Sequence, residues 1–213
     1  MREALGAALG GGLVWTTLAC GGAGGLVGGG SEGAQSLCKH LQQETECPCV
    51  SLGAGSRATI DGIEVQVDVV KTWEGLSSLP EITNLDERNL MKKVGNHALV
   101  LELTYTNTKP VKSGVDFSAY IMDGDGEGRV VQPYNSKVYS KGKEGWIDLW
   151  DDDDIGPNKT RKAAFVYAVP KSAVEGSKLV LRKNVKRPDP KDPRGRMKYF
   201  AEELFVLDLG PPT

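Results

Sequence analysis

From Ile63 the chain alternates strictly: Ile63, Val65, Val67 and Val69 are interleaved with Glu64, Gln66 and Asp68. A period of two with one apolar side predicts a strand with one buried face. Leu99, Leu101, Leu103 and Tyr105 repeat the pattern up to Asn107, where Thr108-Lys109-Pro110 supplies turn chemistry. Shorter apolar runs over 117–122, 129–132, 163–169, 178–182 and 204–209 are each bounded by Gly, Pro, Asp or Asn. About seven strands separated by turns, with little helical periodicity, predict an all-β antiparallel sandwich. Only 85–94 and 196–203 carry a brief helical pattern.

The first residues follow a different rule. Arg2 and the amino terminus are followed by an uncharged stretch from Ala4 to Leu18, then Ala19-Cys20, then glycine-rich sequence. A short positive start, an apolar middle and a small residue before a cysteine predict a lipoprotein signal peptide over 1–19, with Cys20 as the lipidated residue. Thr17-Leu18-Ala19 puts the leucine one place later than such signals usually do, and Glu3 offsets Arg2. An uncleaved anchor is the alternative, because the charge-free stretch is long enough to span a bilayer. Its many glycines dilute the apolar surface and lower helix propensity. Residues 20–35 are expected to be a flexible tether, 36–56 a cysteine-containing segment, and 57–213 the folded domain, an ordinary size for one core.

Composition adds little to this. A net charge of -2 with 25% charged residues gives no global field to recruit nucleic acid or anionic lipid. The expected partners are instead the membrane, through the lipid anchor, and an envelope protein or surface glycolipid; no nucleic acid is expected.

The order of motifs carries a resemblance. Ile63 to Val69, Ala98 to Asn107, Ala119-Tyr-Ile-Met-Asp-Gly-Asp125, Ile155-Gly-Pro-Asn-Lys-Thr160 and Phe165-Val-Tyr-Ala-Val-Pro170 together resemble the "immunoprotective extracellular" domains of bacterial envelope lipoproteins, a family of unknown function. The resemblance covers Thr59 to Leu209 and implies an immunoglobulin-like sandwich, with no catalytic residues to transfer. Asn158 stands where that family often has glycine; asparagine tolerates the left-handed backbone such a turn requires.

Several clusters are candidates for chemistry. In an oxidising compartment Cys38 is expected to bridge to Cys47 or Cys49, leaving one thiol over, which also permits an intermolecular disulfide. Cys38, His40, Cys47 and Cys49 also match the ligand types of tetrahedral zinc, although one residue between paired ligands is tighter than usual. Asp123 to Gly128 imitates the opening of a calcium loop, but Tyr134 replaces the closing bidentate Glu, so a hairpin turn is the simpler reading. Asp151, Asp152, Asp153 and Asp154, after Trp150, offer carboxylates to a hard cation or form a solvated loop. From Lys183 to Lys198 basic residues outnumber Asp189 and Asp192, and Pro188, Pro190 and Pro193 predict an extended loop, able to dock on the acidic loop or on a phosphate-bearing glycolipid.

His97 opens a strand without a nucleophile motif beside it, and no cofactor-binding fingerprint is present. The functional expectation is a non-enzymatic binding or accessory module on the envelope, with no cofactor. An envelope metal sensor or carrier is the first alternative and a hydrolase the second.

Overall fold

A computed structural model describes residues 30–73, 97–122, 130–131, 138–142, 145–148, 154–169 and 174–212. It is a β-sandwich of two sheets flanked by one helix. The helix α1 (Glu32–Thr45) is followed by β1 (Val50–Leu52), β2 (Arg57–Ile60), β3 (Ile63–Trp73), β4 (His97–Asn107), β5 (Ser118–Met122), β6 (Val130–Val131), β7 (Val138–Gly142), β8 (Gly145–Asp148), β9 (Thr160–Val169), β10 (Lys178–Pro188) and β11 (Met197–Asp208). The first sheet has the order β1-β11-β10-β5-β6 and the second β2-β3-β4-β9-β7-β8. All pairings are antiparallel except β1 with β11.

All seven expected strands are present, and four short ones join them: β1, β2, β7 and β8. The β2–β3 hairpin had a legible signal. Asp61-Gly62 is a two-residue connection between Ile60 and Ile63, and both its residues have positive φ, 49° and 69°, as the commonest tight hairpin turn demands. In β3 the alternation holds through Val67; there the register against β4 slips, so that Val69 rather than Asp68 follows opposite Glu102. This bulge turns Val70 into the core in place of the expected phase.

The interior is filled from both sheets. Ile63, Val65, Leu101, Leu103, Tyr105, Phe165 and Tyr167 of the second sheet pack against Ile121, Leu179, Leu181, Phe205 and Leu207 of the first. The second sheet's other face carries ion pairs, Arg57 with Glu64 at 2.9 Å and Lys71 with Glu102 at 3.3 Å, beside the buried Val100 and Ala164. Where α1 covers it, the first sheet is buried on both faces. Val180, Leu204, Val206 and Met122 point away from the sandwich and meet Ala34, Leu37, Cys38 and Leu41 of α1. Double burial explains why 179–181 and 204–207 are continuous apolar runs rather than alternating ones.

The helix corrects the expected flexible tether, since residues 32–35 form its first turn. The apolar positions 34, 37, 38 and 41 fall on one face. Ser31 caps the amino end, its hydroxyl accepting from the Ala34 N–H, and Glu46 closes the other end in a left-handed conformation. Gly30 is required by close approach: a Cβ there would lie 3.1 Å from the Ser51 Cβ and 3.2 Å from the Leu52 nitrogen. Helix and β1 therefore belong to the sandwich, and the cysteine segment is not a separate piece.

Two expectations near the carboxyl end are overturned. Of residues 196–203, all from Met197 onward are strand, not helix: the pairing of β11 with β10 overrides the helix preference of Lys, Ala and Glu. The basic stretch 183–198 is not an extended loop but the outer half of the β10–β11 hairpin. Pro188 is the last residue of β10, and Pro190 and Pro193 lie in the connecting turn, where no ladder hydrogen bond is asked of them. The helical expectation for 85–94 lies outside the described residues.

Candidate functional site

The cysteines are placed by the helix. Cys38 sits on its buried face, 6% exposed, and is bridged to Cys49, just ahead of β1, with Cα atoms 5.4 Å apart. Of the two pairings the sequence left open, Cys38 to Cys49 is the one formed, and it fastens α1 to the edge of the first sheet. Cys47 stays outside the bridge, its side chain 1% exposed within the same apolar cluster. His40 lies on the solvent face of α1, 3.3 Å from the Glu44 carboxylate. The four candidate metal ligands are thus not gathered: two are oxidised, one is buried, and one faces water. Among the described residues no three His, Cys, Asp or Glu side chains cluster as a metal site.

The start of the helix is pinned to the base of the long hairpin. The Asp208 carboxylate accepts from the Ser31 hydroxyl at 2.7 Å and from the Ser31 N–H, and pairs with Lys178 at 3.0 Å. Both charged side chains are about one-tenth exposed. Burial pushes the Asp208 carboxyl up, but the Ser31 hydrogen bonds and Lys178 outweigh it and hold it below its ordinary value.

Further along the hairpin, a second network joins the sheets. Asp61, in the β2–β3 turn, pairs with Lys183 at 2.8 Å and Lys109 at 3.1 Å, while Lys183 also reaches Glu202 at 3.3 Å. The Asp61 N–H donates to Glu203 at 2.9 Å. Burial works against both ions, yet the pairing holds Asp61 below and Lys183 above their usual values. Lys183 is therefore spent within the fold.

Beyond this network no other described strand pairs with the hairpin. β5 pairs with β10 only as far as Arg182, and β1 with β11 only over Phe205 to Leu207. Past the bulge between Lys183 and Asn184, the ribbon pairs with itself from Asn184↔Ala201 to Pro188↔Met197. Its tip is closed by the Asp189 N–H donating to Arg196 O at 2.9 Å, and by Asp189 and Asp192 carboxylates accepting from the N–H groups of Lys191 and Arg194. Lys186 lies over the Tyr199 ring, and Arg187 stands 4.6 Å from the Phe200 ring centre. Tyr199 and Phe200 lie just beyond the basic segment in the sequence.

Asn107, a residue the sequence used only as a strand end, is fully buried. Its side-chain N–H₂ donates to Val111 O at 2.8 Å and Ile155 O at 2.7 Å, and its oxygen accepts from the Lys109 N–H at 2.9 Å. It ties the turn after β4 to the Pro157 turn, in which Asn158 adopts φ 54°. The left-handed backbone expected at Asn158 is present.

The remaining candidates divide between solvent and undescribed positions. Asp154 is exposed, with Lys112 at 3.9 Å. Asp151, Asp152, Asp153 and Cys20 lie outside the described residues, as do Trp150, Tyr134 and the glycine-rich turn 123–128. That turn is nevertheless bracketed by paired strands, Ile121↔Val131 and Met122↔Val130. His97 is the first residue of β4.

No protein-family model and no curated protein matches the chain. Solved structures with some likeness include an uncharacterized beta-sandwich protein from Clostridium difficile 630, 12% identical, over 75% of this chain and 93% of that one, with a TM-score of 0.43. A conserved hypothetical protein from Bacillus anthracis is 14% identical over 61% of this chain and 87% of that one, with a TM-score of 0.37. A functionally unknown protein from Listeria monocytogenes EGD-e is 9% identical over 68% and 79%, with a TM-score of 0.35. These likenesses are too loose to carry an argument, so the β-sandwich assignment rests on the sheets themselves. The bridge does carry one: disulfides form and persist in oxidising compartments, which points to an extracellular or envelope address.

Proposed function

We propose that this protein is a lipid-anchored envelope protein that acts as a non-enzymatic binding or accessory module. The observation that carries the reading is the Cys38–Cys49 bridge, which agrees with a leader that exports the chain and ends at Cys20. The resemblance to immunoglobulin-like envelope domains belongs to the same proposal. A binding role is supported by the distribution of charge: a chain of net charge -2 carries six basic and two acidic residues between Asn184 and Ala201, on a ribbon with which no other described strand pairs. A metal-carrying role would have to do without Cys38 and Cys49 while the bridge is closed.

Intact-mass analysis of protein extracted from membranes tests the anchor. The expected species begins at Cys20 and carries diacylglyceryl and acyl additions, and Cys20→Ala abolishes both. Recovery of a chain still starting at Met1 would defeat the reading.

A further inference from the structure

We propose that the outer half of the β10–β11 hairpin docks on the phosphate headgroups of an anionic bilayer. Charge alone does not make the case. Within the tip, Lys191 pairs with Glu46 at 3.4 Å, Arg196 with Asp192 at 3.0 Å, and Lys198 lies 3.9 Å from Asp189. Both acidic residues of the ribbon are thereby engaged, and no carboxylate among the described residues pairs with Lys186, Arg187 or Arg194. Among the described residues these three cations are exposed and without a carboxylate partner.

The apolar residues select the kind of anion. Among the described residues the exposed large hydrophobic side chains are Val111, Met197 and Tyr199, and two of the three are on this ribbon, 52% and 64% exposed. The register puts Lys186 opposite Tyr199 and Pro188 opposite Met197, so these four share one face by the alternation of a strand. Arg187 and Lys198 occupy the other. A soluble phosphate polymer would satisfy the cations and leave Met197 and Tyr199 in water. A bilayer interface takes both, burying the apolar tips at headgroup level while basic residues meet lipid phosphate.

Geometry permits contact with the membrane that holds the anchor. Gly30 sits at the base of the hairpin beside Asp208, and the basic tip is at the other end, about 33 Å away along β10 at about 3.3 Å per residue. The ten peptide units from Cys20 to Gly30 span at most about 35 Å. A domain anchored there can lie along the bilayer with its ribbon on the surface. The docking does not depend on the anchor, however, and the two are separable.

The test uses the full-length, membrane-extracted protein with a polarity-sensitive dye on a Pro190→Cys variant, reconstituted into vesicles of phosphatidylcholine with or without phosphatidylglycerol. The dye is expected to shift to the blue and escape an aqueous quencher only where phosphatidylglycerol is present, and high salt should reverse this. Removing two charges with Lys186→Gln and Arg194→Gln should weaken the contact about 25-fold, at about fivefold per basic residue. Arg194→Gln alone, which disturbs no ring contact, should give about fivefold. A Met197→Ser variant should weaken contact without changing its salt dependence. Equal dye exposure on both vesicles would overturn the proposal, as would release of the ribbon by single-stranded RNA at matched phosphate concentration. Protein retained on vesicles without a dye response would sink the ribbon's role and spare the anchor; a membrane-extracted protein found to carry no acyl chains that still gives the dye response would sink the anchor and spare the ribbon.

Discussion

Replacing Cys38 and Cys49 together by alanine tests the strongest covalent constraint in the fold. The two residues are separated by 11 positions. In the chain-entropy treatment, closing a loop of that length removes about 9 cal/mol/K from the unfolded chain, or about 3 kcal/mol at 25 °C. For a chain of this size that corresponds to a fall in Tm of about 6–12 °C. The cut falls where it matters, because α1 covers Val180, Leu204 and Val206, and without the bridge it is held there by packing, the Ser31–Asp208 bonds and the exposed Lys191–Glu46 pair. Urea unfolding of the wild type, the double variant and the wild type in reductant supplies the measurement. The variant and the reduced wild type should coincide, about 3 kcal/mol below the oxidised protein. Three results would refute the reasoning: a loss under about 0.5 kcal/mol, a further loss when the variant itself is placed in reductant, or peptide mapping that finds Cys47 in the bridge.

Two further outcomes follow from buried polar groups. Asp208 gives up its proton more readily folded than unfolded, so in the titration window the unfolded chain binds more protons and stability rises with pH. The stabilisation is full above the ordinary carboxylate range and is lost as pH falls through about 4 and below; in urea unfolding from pH 7 downward, Asp208→Asn should flatten that loss. An unchanged acid limb would contradict the pairing with Ser31 and Lys178. The hydroxyl of Tyr105 is buried without a hydrogen-bond partner among the described residues, at the junction of edge-on contacts with Phe117 and Phe165. Tyr105→Phe should therefore stabilise the fold by about 1 kcal/mol or more, and a measured loss would mean that the hydroxyl is satisfied.

The chain's local pattern determined the β character, the two long central strands and the turns that bound them, because a strand buried on one face must alternate and a turn needs Gly, Pro, Asn or Asp. It also limited the cysteine chemistry to a few pairings, and a left-handed turn at Asn158 followed from residue type. What it could not decide were features that depend on distant partners. Helix α1 is marked by Ser31 and by apolar residues at 34, 37, 38 and 41, but a short amphipathic helix is stable only against the sheet face it covers, and that face is supplied by Met122, Val180, Leu204 and Val206, far along the chain. The same holds for 196–203, whose composition suits a helix until β10 offers a ladder. The choice of Cys49 over Cys47, the burial of Asn107 and the isolation of the basic ribbon are likewise tertiary decisions. Each is fixed by which backbone comes alongside which, and side-chain periodicity within one segment carries no record of that.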